Sequence, residues 1–202
     1  MERRAAYKHL KTELPFMAPL IEATGELPLP EPDRSPVAAS LVRIVAGQML
    51  SRTAAQTIIG RMNVAVERQG LEQLYHLDEP NLRACGLSGR KAKTIAAIRD
   101  LAINESDRLE GWRSLNWPDL RREVSGVWGL SDWSAAMLAI FDFALADVFP
   151  LGDGSLIRAM RAIEGPNLAK GGGFPHSRGS PYGSYLAITL WAALDDGHLT
   201  PI

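Results

Sequence analysis

From Trp133 to Ala146 the chain is apolar on nearly every side, with Met137, Leu138, Ile140, Phe141, Phe143 and Leu145 interrupted by a single charge, Asp142. A helix without a polar face has to be enclosed by other elements, so this stretch predicts a central helix within a multi-helix assembly. Nowhere do apolar and polar residues alternate over a run long enough for a half-buried strand, and the expected class is therefore all-α. Asp142 either reaches solvent or a partner near the end of that helix, or belongs to a site.

Pro28-Leu29-Pro30-Glu31-Pro32-Asp33-Arg34-Ser35-Pro36 carries four prolines in nine residues, which forbids a continuous helix and separates an N-terminal arm from the body. Ser35 and Pro36 read as an N-cap and first helical residue, after which Leu41, Ile44, Val45 and Met49 recur at helical spacing. Further helical patterns run from about Thr53 to Gln69, ending near Gly70, and from Leu71 to Leu77. Asn81 to Gly86 reads as a short helix or turn, and Leu87-Ser88-Gly89 as a loop into a helix from Arg90 to Asn104. Trp117 to Ser125, Ser131 to Ala146, Gly154 to Ile163 and Tyr182 to Leu194 complete the set, and the breaker-rich stretch from Gly171 to Pro181 reads as a mobile loop.

The 202 residues, 46% hydrophobic and 22% charged, suit one domain or two packed lobes with a substantial core. A net charge of −1 supplies no global basic field, so nucleic-acid binding has to rest on a local patch. The single cysteine, Cys85, excludes an intramolecular disulfide and a four-cysteine cluster within one chain. His9, His76, His176 and His198 lack metal-ligand spacing. No apolar signal core opens the chain and no run of about 20 apolar residues follows, so the expectation is a cytoplasmic protein of bacterial type, beside the nucleoid.

Two segments carry chemistry. In Asp147-Val148-Phe149-Pro150-Leu151-Gly152-Asp153-Gly154-Ser155-Leu156 a lone carboxylate, Asp153, sits where a turn enters a helix. That position suits a helix N-cap and equally a carboxylate held ready for catalysis. In Val124-Ser125-Gly126-Val127-Trp128-Gly129-Leu130-Ser131-Asp132-Trp133-Ser134-Ala135 a helix, a tight turn and a second helix follow one another. This is either an ordinary helical hairpin or one whose exposed N–H groups hold a phosphate without a basic side chain. Arg90, Lys91 and Lys93 open their helix as a phosphate patch or a solvated basic face.

Taken in order, these blocks resemble the helix-hairpin-helix DNA glycosylases of the 3-methyladenine DNA glycosylase II (AlkA-like) family, from about Ser40 to Leu194. Val45-Ala46-Gly47-Gln48-Met49-Leu50-Ser51 resembles the family's Gly-Gln-Gln-x-Ser segment, and Leu87-Ser88-Gly89-Arg90-Lys91-Ala92 its Gly-Leu-Ser-x-x-Lys-Ala turn. Trp133-Ser134-Ala135 matches the Trp-Thr-Ala after the hairpin, and the Asp-Val-Phe-Pro stretch matches the segment before the catalytic aspartate. Pro181-Tyr182-Gly183-Ser184-Tyr185, with Trp191 beyond it, is similar to the closing Pro-Tyr-Arg-Ser helix.

The resemblance implies hydrolysis of the N-glycosidic bond of alkylated purines, of the 3-methyladenine and 7-methylguanine type, in double-stranded DNA after base flipping. Asp153 is the implied catalytic residue, stabilising positive charge on the sugar or activating water. A ring-alkylated base is already cationic, so one carboxylate suffices where ordinary glycosidases need two. Gln48 and Met49 fall at the family's wedge, Met49 intercalating and Gln48 meeting the opposite strand. Trp133 and Trp191 take pocket positions, with Trp128 and Met137 beside them, where aromatic faces favour cationic rings. Ser51, Arg90, Lys91, Gly129 and Ser131 are the remaining implied DNA contacts. No cofactor or catalytic metal is implied, only a weakly held monovalent cation on the hairpin carbonyls.

The lyase branch carries a lysine where this chain has Trp133, and tryptophan forms no Schiff base, which implies a monofunctional enzyme. Ser131 replaces the hairpin's second glycine and Asp132 a neutral or basic residue, two departures that act against phosphate capture. Rival readings are a non-catalytic damage-binding module and a glycosylase for uracil or deaminated bases. The expected architecture is a monomer of the short form without an N-terminal β domain. It has a central bundle over 53–139, a second lobe of 1–52 plus 140–202, the hairpin at about 117–146, and the active-site cleft between the lobes.

Overall fold

The computed structural model describes residues 2–164 and 173–200. Every regular element among them is helical, so the fold is all-α. In chain order the α-helices are α1 (Glu2–Glu13), α2 (Ala18–Thr24), α3 (Val37–Gly47), α4 (Arg52–Gln69), α5 (Glu79–Ala84) and α6 (Gly89–Asn104). They continue with α7 (Ser106–Gly111), α8 (Trp117–Ser125), α9 (Asp132–Phe141), α10 (Gly154–Glu164) and α11 (Gly183–Asp195). Short 3-10 turns stand at Leu74–His76, inside the stretch expected to be a short helix, and at His176–Gly179, inside the breaker-rich loop. Gly171 and Gly172 of that loop lie outside the described residues.

The chain divides into two units, 1–32 with 139–202, and 33–138. Residues 33–52, which the sequence groups with the terminal segments, fall in the central unit because α3 packs on α4, α6 and α7 there. Eight α3 residues from Val37 to Ala46 are buried, too many for a helix at a periphery. Side-chain caps set several starts in this unit: Ser51 Oγ accepts from Ala54 N–H, Ser88 Oγ from Lys91 N–H and Asn116 Oδ1 from Asp119 N–H. Gly70, at φ +62°, closes α4 where the sequence places its end.

The entry to α3 differs from the expected Ser35–Pro36 start. Pro36 itself is the N-cap, with ψ 137°, and Val37 N–H donates to Glu110 Oε1 at 2.8 Å, a cap supplied by the end of α7. Ser35 N–H instead donates to Asp33 Oδ1, and Arg113 binds the carbonyls of Asp33 and Ser35. The proline-rich stretch is thus tied down where it meets the body.

In the other unit the N-terminal arm is a core element rather than a tail. Tyr7, Leu10, Leu14, Met17 and Ile21 are buried with Leu156, Tyr185, Leu186 and Leu190 of α10 and α11. Tyr7 stands edge-on to Tyr185, and its hydroxyl donates to the Leu27 carbonyl at 3.1 Å. Helix α9 ends at Phe141, five residues before the expected Ala146. Beyond it, Leu145 N–H reaches back to the Ala139 carbonyl and Ala144 adopts φ 54°, so the chain turns out of the helical path. Ala135, Leu138, Ala139 and Ile140 are fully buried, as an all-apolar helix requires, and Asp142 is buried too, at 7% exposure.

Candidate functional site

Asp153 immediately precedes α10 and is half-buried. The N–H groups of Ser155 and Leu156 donate to its Oδ1 at 3.0 and 2.9 Å, and the indole N–H of Trp191, from α11, donates to the same oxygen at 3.0 Å. The local Asp-Gly-Ser sequence favours the first two contacts, since a short acceptor side chain meets the orphan amides of a first turn. The third is long-range and fixes the carboxylate against a rigid helix. Capping and presentation of the acid are therefore one arrangement.

Two side chains hold the approach to Asp153. Ser184 Oγ donates to the Leu145 carbonyl and accepts from Val148 N–H. Asp147 accepts from Ser180 Oγ at 2.6 Å and from Gly183 N–H at 3.1 Å, which puts a carboxylate on the N-terminus of α11. A Cβ at Gly183 would stand 3.1 Å from Asp147 Oδ1 and 3.2 Å from the Val148 carbonyl carbon, so the glycine goes with the close approach of this loop. The Ser180–Pro181 peptide bond is cis.

Phe141, 42% exposed, lies with its ring centroid 5.6 Å from that of Trp191, tilted by 31°. An exposed aromatic against the indole that holds Asp153 is a candidate stacking surface that sequence reasoning missed. Within the uniformly apolar run nothing singles Phe141 out. Phe149 stacks on His176 at 5.5 Å in the same unit.

The remaining sequence candidates belong to the central unit. Gly47-Gln48-Met49-Leu50 is a tight turn in which Leu50 N–H donates to the Gly47 carbonyl. Gln48 has φ −52° and ψ 131°, and Met49, with φ 57°, is fully exposed. These angles are those of a type II turn with methionine where glycine is usual. The Gln48 amide donates to Ser134 Oγ at 3.1 Å, so within this unit it braces the turn. Lys91 Nζ donates to the carbonyls of Ala46 and Gln48 at 2.9 and 2.8 Å, and its partial burial lowers the amine pKa. That leaves Arg90 and Lys93 as the exposed cations at the start of α6.

In the hairpin between α8 and α9, Leu130 N–H donates to the Val127 carbonyl, and Gly129 has φ +83°. A Cβ on Gly129 would fall 2.0 Å from Thr94 Oγ1, which shows how closely the turn lies on α6. Trp128 projects at 54% exposure, Ser131 is exposed, Trp133 half-buried, and Met137 buried at 8%. Asp132 is held by two neighbours, accepting from Arg121 and, at 2.8 Å, from Ser125 Oγ. The Arg121 contact, then that of Ser125, keeps its carboxyl below the usual carboxylate range. Among the described residues no group of three or more His, Cys, Asp or Glu is placed to hold a metal ion, and no helix is long and apolar enough to cross a membrane.

Comparison with known proteins adds the following. No family model matches the chain. DNA-3-methyladenine glycosylase 1 of Schizosaccharomyces pombe is 29% identical over 134 residues, covering 61% of this chain and 56% of that protein, so the alignment spans little more than half of the relative. The structure of the 3-methyladenine DNA glycosylase of S. pombe in complex with abasic DNA superposes with a TM-score of 0.80 at 24% identity, over 95% of this chain and 97% of the other. The DNA-3-methyladenine glycosidase of Bacillus halodurans gives a TM-score of 0.73 at 26% identity, over 93% and 88%.

Proposed function

We propose that the chain is a base-excision-repair glycosylase hydrolysing the N-glycosidic bond of alkylated purines in duplex DNA, a reading supported by its similarity to the 3-methyladenine DNA glycosylases of S. pombe and B. halodurans. The observation that carries this is the carboxylate of Asp153, one oxygen of which is pinned by Ser155, Leu156 and Trp191. Such an acid is preorganised rather than mobile, as electrostatic stabilisation of a developing cation requires.

The reaction breaks the bond between the sugar C1′ and the base nitrogen. The electron pair leaves with the base, which loses its formal positive charge, and C1′ becomes electron-poor. Asp153 lies against that charge, water adds to C1′, and the water's proton passes to the carboxylate or to solvent. A neutral base would need a protonating acid as well. A cationic base needs none, which is why one carboxylate points to 3-methyladenine and 7-methylguanine rather than to uracil. The exposed ring of Phe141, set against Trp191, suits stacking on electron-poor rings. Trp133 carries no amine, so the reading is a monofunctional hydrolase that leaves an abasic site intact.

Incubation with duplexes bearing 7-methylguanine, 3-methyladenine, uracil or hypoxanthine, followed by measurement of the freed base, tests this. The expected result is release of the methylated purines, with strand cleavage only after added alkali. Release of uracil or hypoxanthine alone would move the pocket to deaminated bases, and DNA binding without any release would leave a damage-binding module.

A further inference from the structure

Lys91 belongs to a motif that reads as a phosphate patch, yet its ammonium is committed to two backbone carbonyls, those of Ala46 and Gln48. The first lies in the last turn of α3, where unpaired carbonyls and the helix dipole favour a cation. The second is the more consequential. In a four-residue turn, types I and II differ by a flip of the central peptide, and the carbonyl that flips is that of the second residue, here Gln48. An ammonium 2.8 Å from the Gln48 carbonyl holds that peptide in the type II orientation, which is the orientation that puts Met49 at φ 57°. Without a clamp, a methionine there favours the unflipped turn, because the left-handed region is unfavourable for any residue with a Cβ. The Gln48 side chain, donating to Ser134 Oγ, braces the same turn.

We propose that Lys91 is a positioning residue: its ammonium holds the Gly47–Leu50 turn in the strained form that projects the fully exposed Met49 side chain, and so sets how readily that side chain enters a duplex. The inference rests on the glycosylase reading only for the identity of the duplex that Met49 enters, and it is tested without base release.

The probe is a duplex with a stable abasic analogue and 2-aminopurine beside it, whose fluorescence rises when the stack opens. Wild-type protein raises the signal at saturation. Lys91→Met, which keeps the chain's bulk and removes the ammonium, loses about tenfold of the opening equilibrium, the effect of losing charged hydrogen bonds. Lys91→Arg retains donors and recovers part of the signal. Met49→Ala loses the signal too, and Lys91→Met adds nothing on the Met49→Ala background. Thermal unfolding of each variant excludes global loss of structure.

The proposal is overturned if the two substitutions multiply, or if wild-type protein leaves 2-aminopurine stacked. It is also overturned if Lys91→Met lowers the salt slope of binding by about one unit while the fluorescence of the bound state persists, since that is the mark of a phosphate contact. A rise in fluorescence without release of any methylated base would overturn the glycosylase reading and leave this one standing.

Discussion

The indole N–H of Trp191 donates to Oδ1 of Asp153 at 3.0 Å, the same oxygen that receives the backbone N–H groups of Ser155 and Leu156. Three donors converging on one oxygen fix the plane of the carboxylate and leave its orientation independent of substrate. The N-cap and the candidate catalytic acid are thus a single object, and the two roles separate by substitution.

Asp153→Asn keeps an Oδ1 acceptor for all three donors, so unfolding in urea should shift by less than about 0.5 kcal/mol, whereas Asp153→Ala forfeits the cap and loses about 1 kcal/mol. Single-turnover release of 7-methylguanine should fall by at least about 100-fold in both, because the charge beside C1′ is gone in both. Equal activity of Asp153→Asn and wild type would make the residue a cap alone. Trp191→Phe keeps the ring and removes one donor, and a rate loss of about tenfold with normal stability is expected.

Met49 joins strain to exposure. Met49→Gly should leave the protein more stable by about 0.5–1 kcal/mol, since the left-handed region costs glycine nothing and the fully exposed side chain buries no area. Met49→Ala keeps the Cβ and should be near neutral. Both should slow base release from duplex DNA, so urea midpoints and single-turnover rates ought to move in opposite directions for Met49→Gly. A stability loss in that variant would mean that the turn does not carry strain.

How much of this could be read from the chain depended on whether the cause was local. Asp153 before α10 and Gly70 as a stop are effects within a few residues, and the sequence shows them. The end of α9 at Phe141 was missed because the apolar run continues past it, and the left-handed turn at Ala144 carries no glycine to mark the change of path. Glu110 capping Val37 and Lys91 reaching Gln48 are contacts across 73 and 43 positions, for which no local pattern exists. The arm lies between these cases: grouping it with the C-terminal helices agrees with the structure, and Tyr7, Leu10 and Leu14, at helical spacing and all buried, carry its signal among the charges around them.

Gly129 is where the hairpin meets α6. Its φ of +83° already disfavours a side chain, and a Cβ would lie 2.0 Å from Thr94 Oγ1 and 2.9 Å from Thr94 Cβ. Thr94 is buried and its hydroxyl donates to the Arg90 carbonyl, so it has nowhere to turn. Gly129→Ala should cost about 2–4 kcal/mol in urea unfolding. Thr94→Ala in the same chain removes the nearest atom but not the Cβ contact, and should restore only part of that loss, a non-additivity that identifies the clash.

Asp132 appears in the sequence as a charge opposed to phosphate capture, but it is held by Arg121 and Ser125 within the hairpin's own arms. Its carboxyl is kept below the ordinary value of 3.8, the Arg121 hydrogen bond being the larger cause. A group with a lowered folded pKa contributes stability that is present above its unfolded pKa and is lost as the pH falls through the folded value. Asp132→Asn should therefore flatten the acid limb of the stability curve below that ordinary value, read as urea midpoints against pH. Above it, the variant should show a small loss only, because both partners are more than half exposed and water screens the pair. The same substitution frees the Arg121 charge at the hairpin. Binding to undamaged duplex should tighten, with a salt slope steeper by up to about one unit. If affinity and slope stay unchanged while the acid limb flattens, Asp132 acts only as a clasp between α8 and α9, and the hairpin meets the backbone through its N–H groups alone.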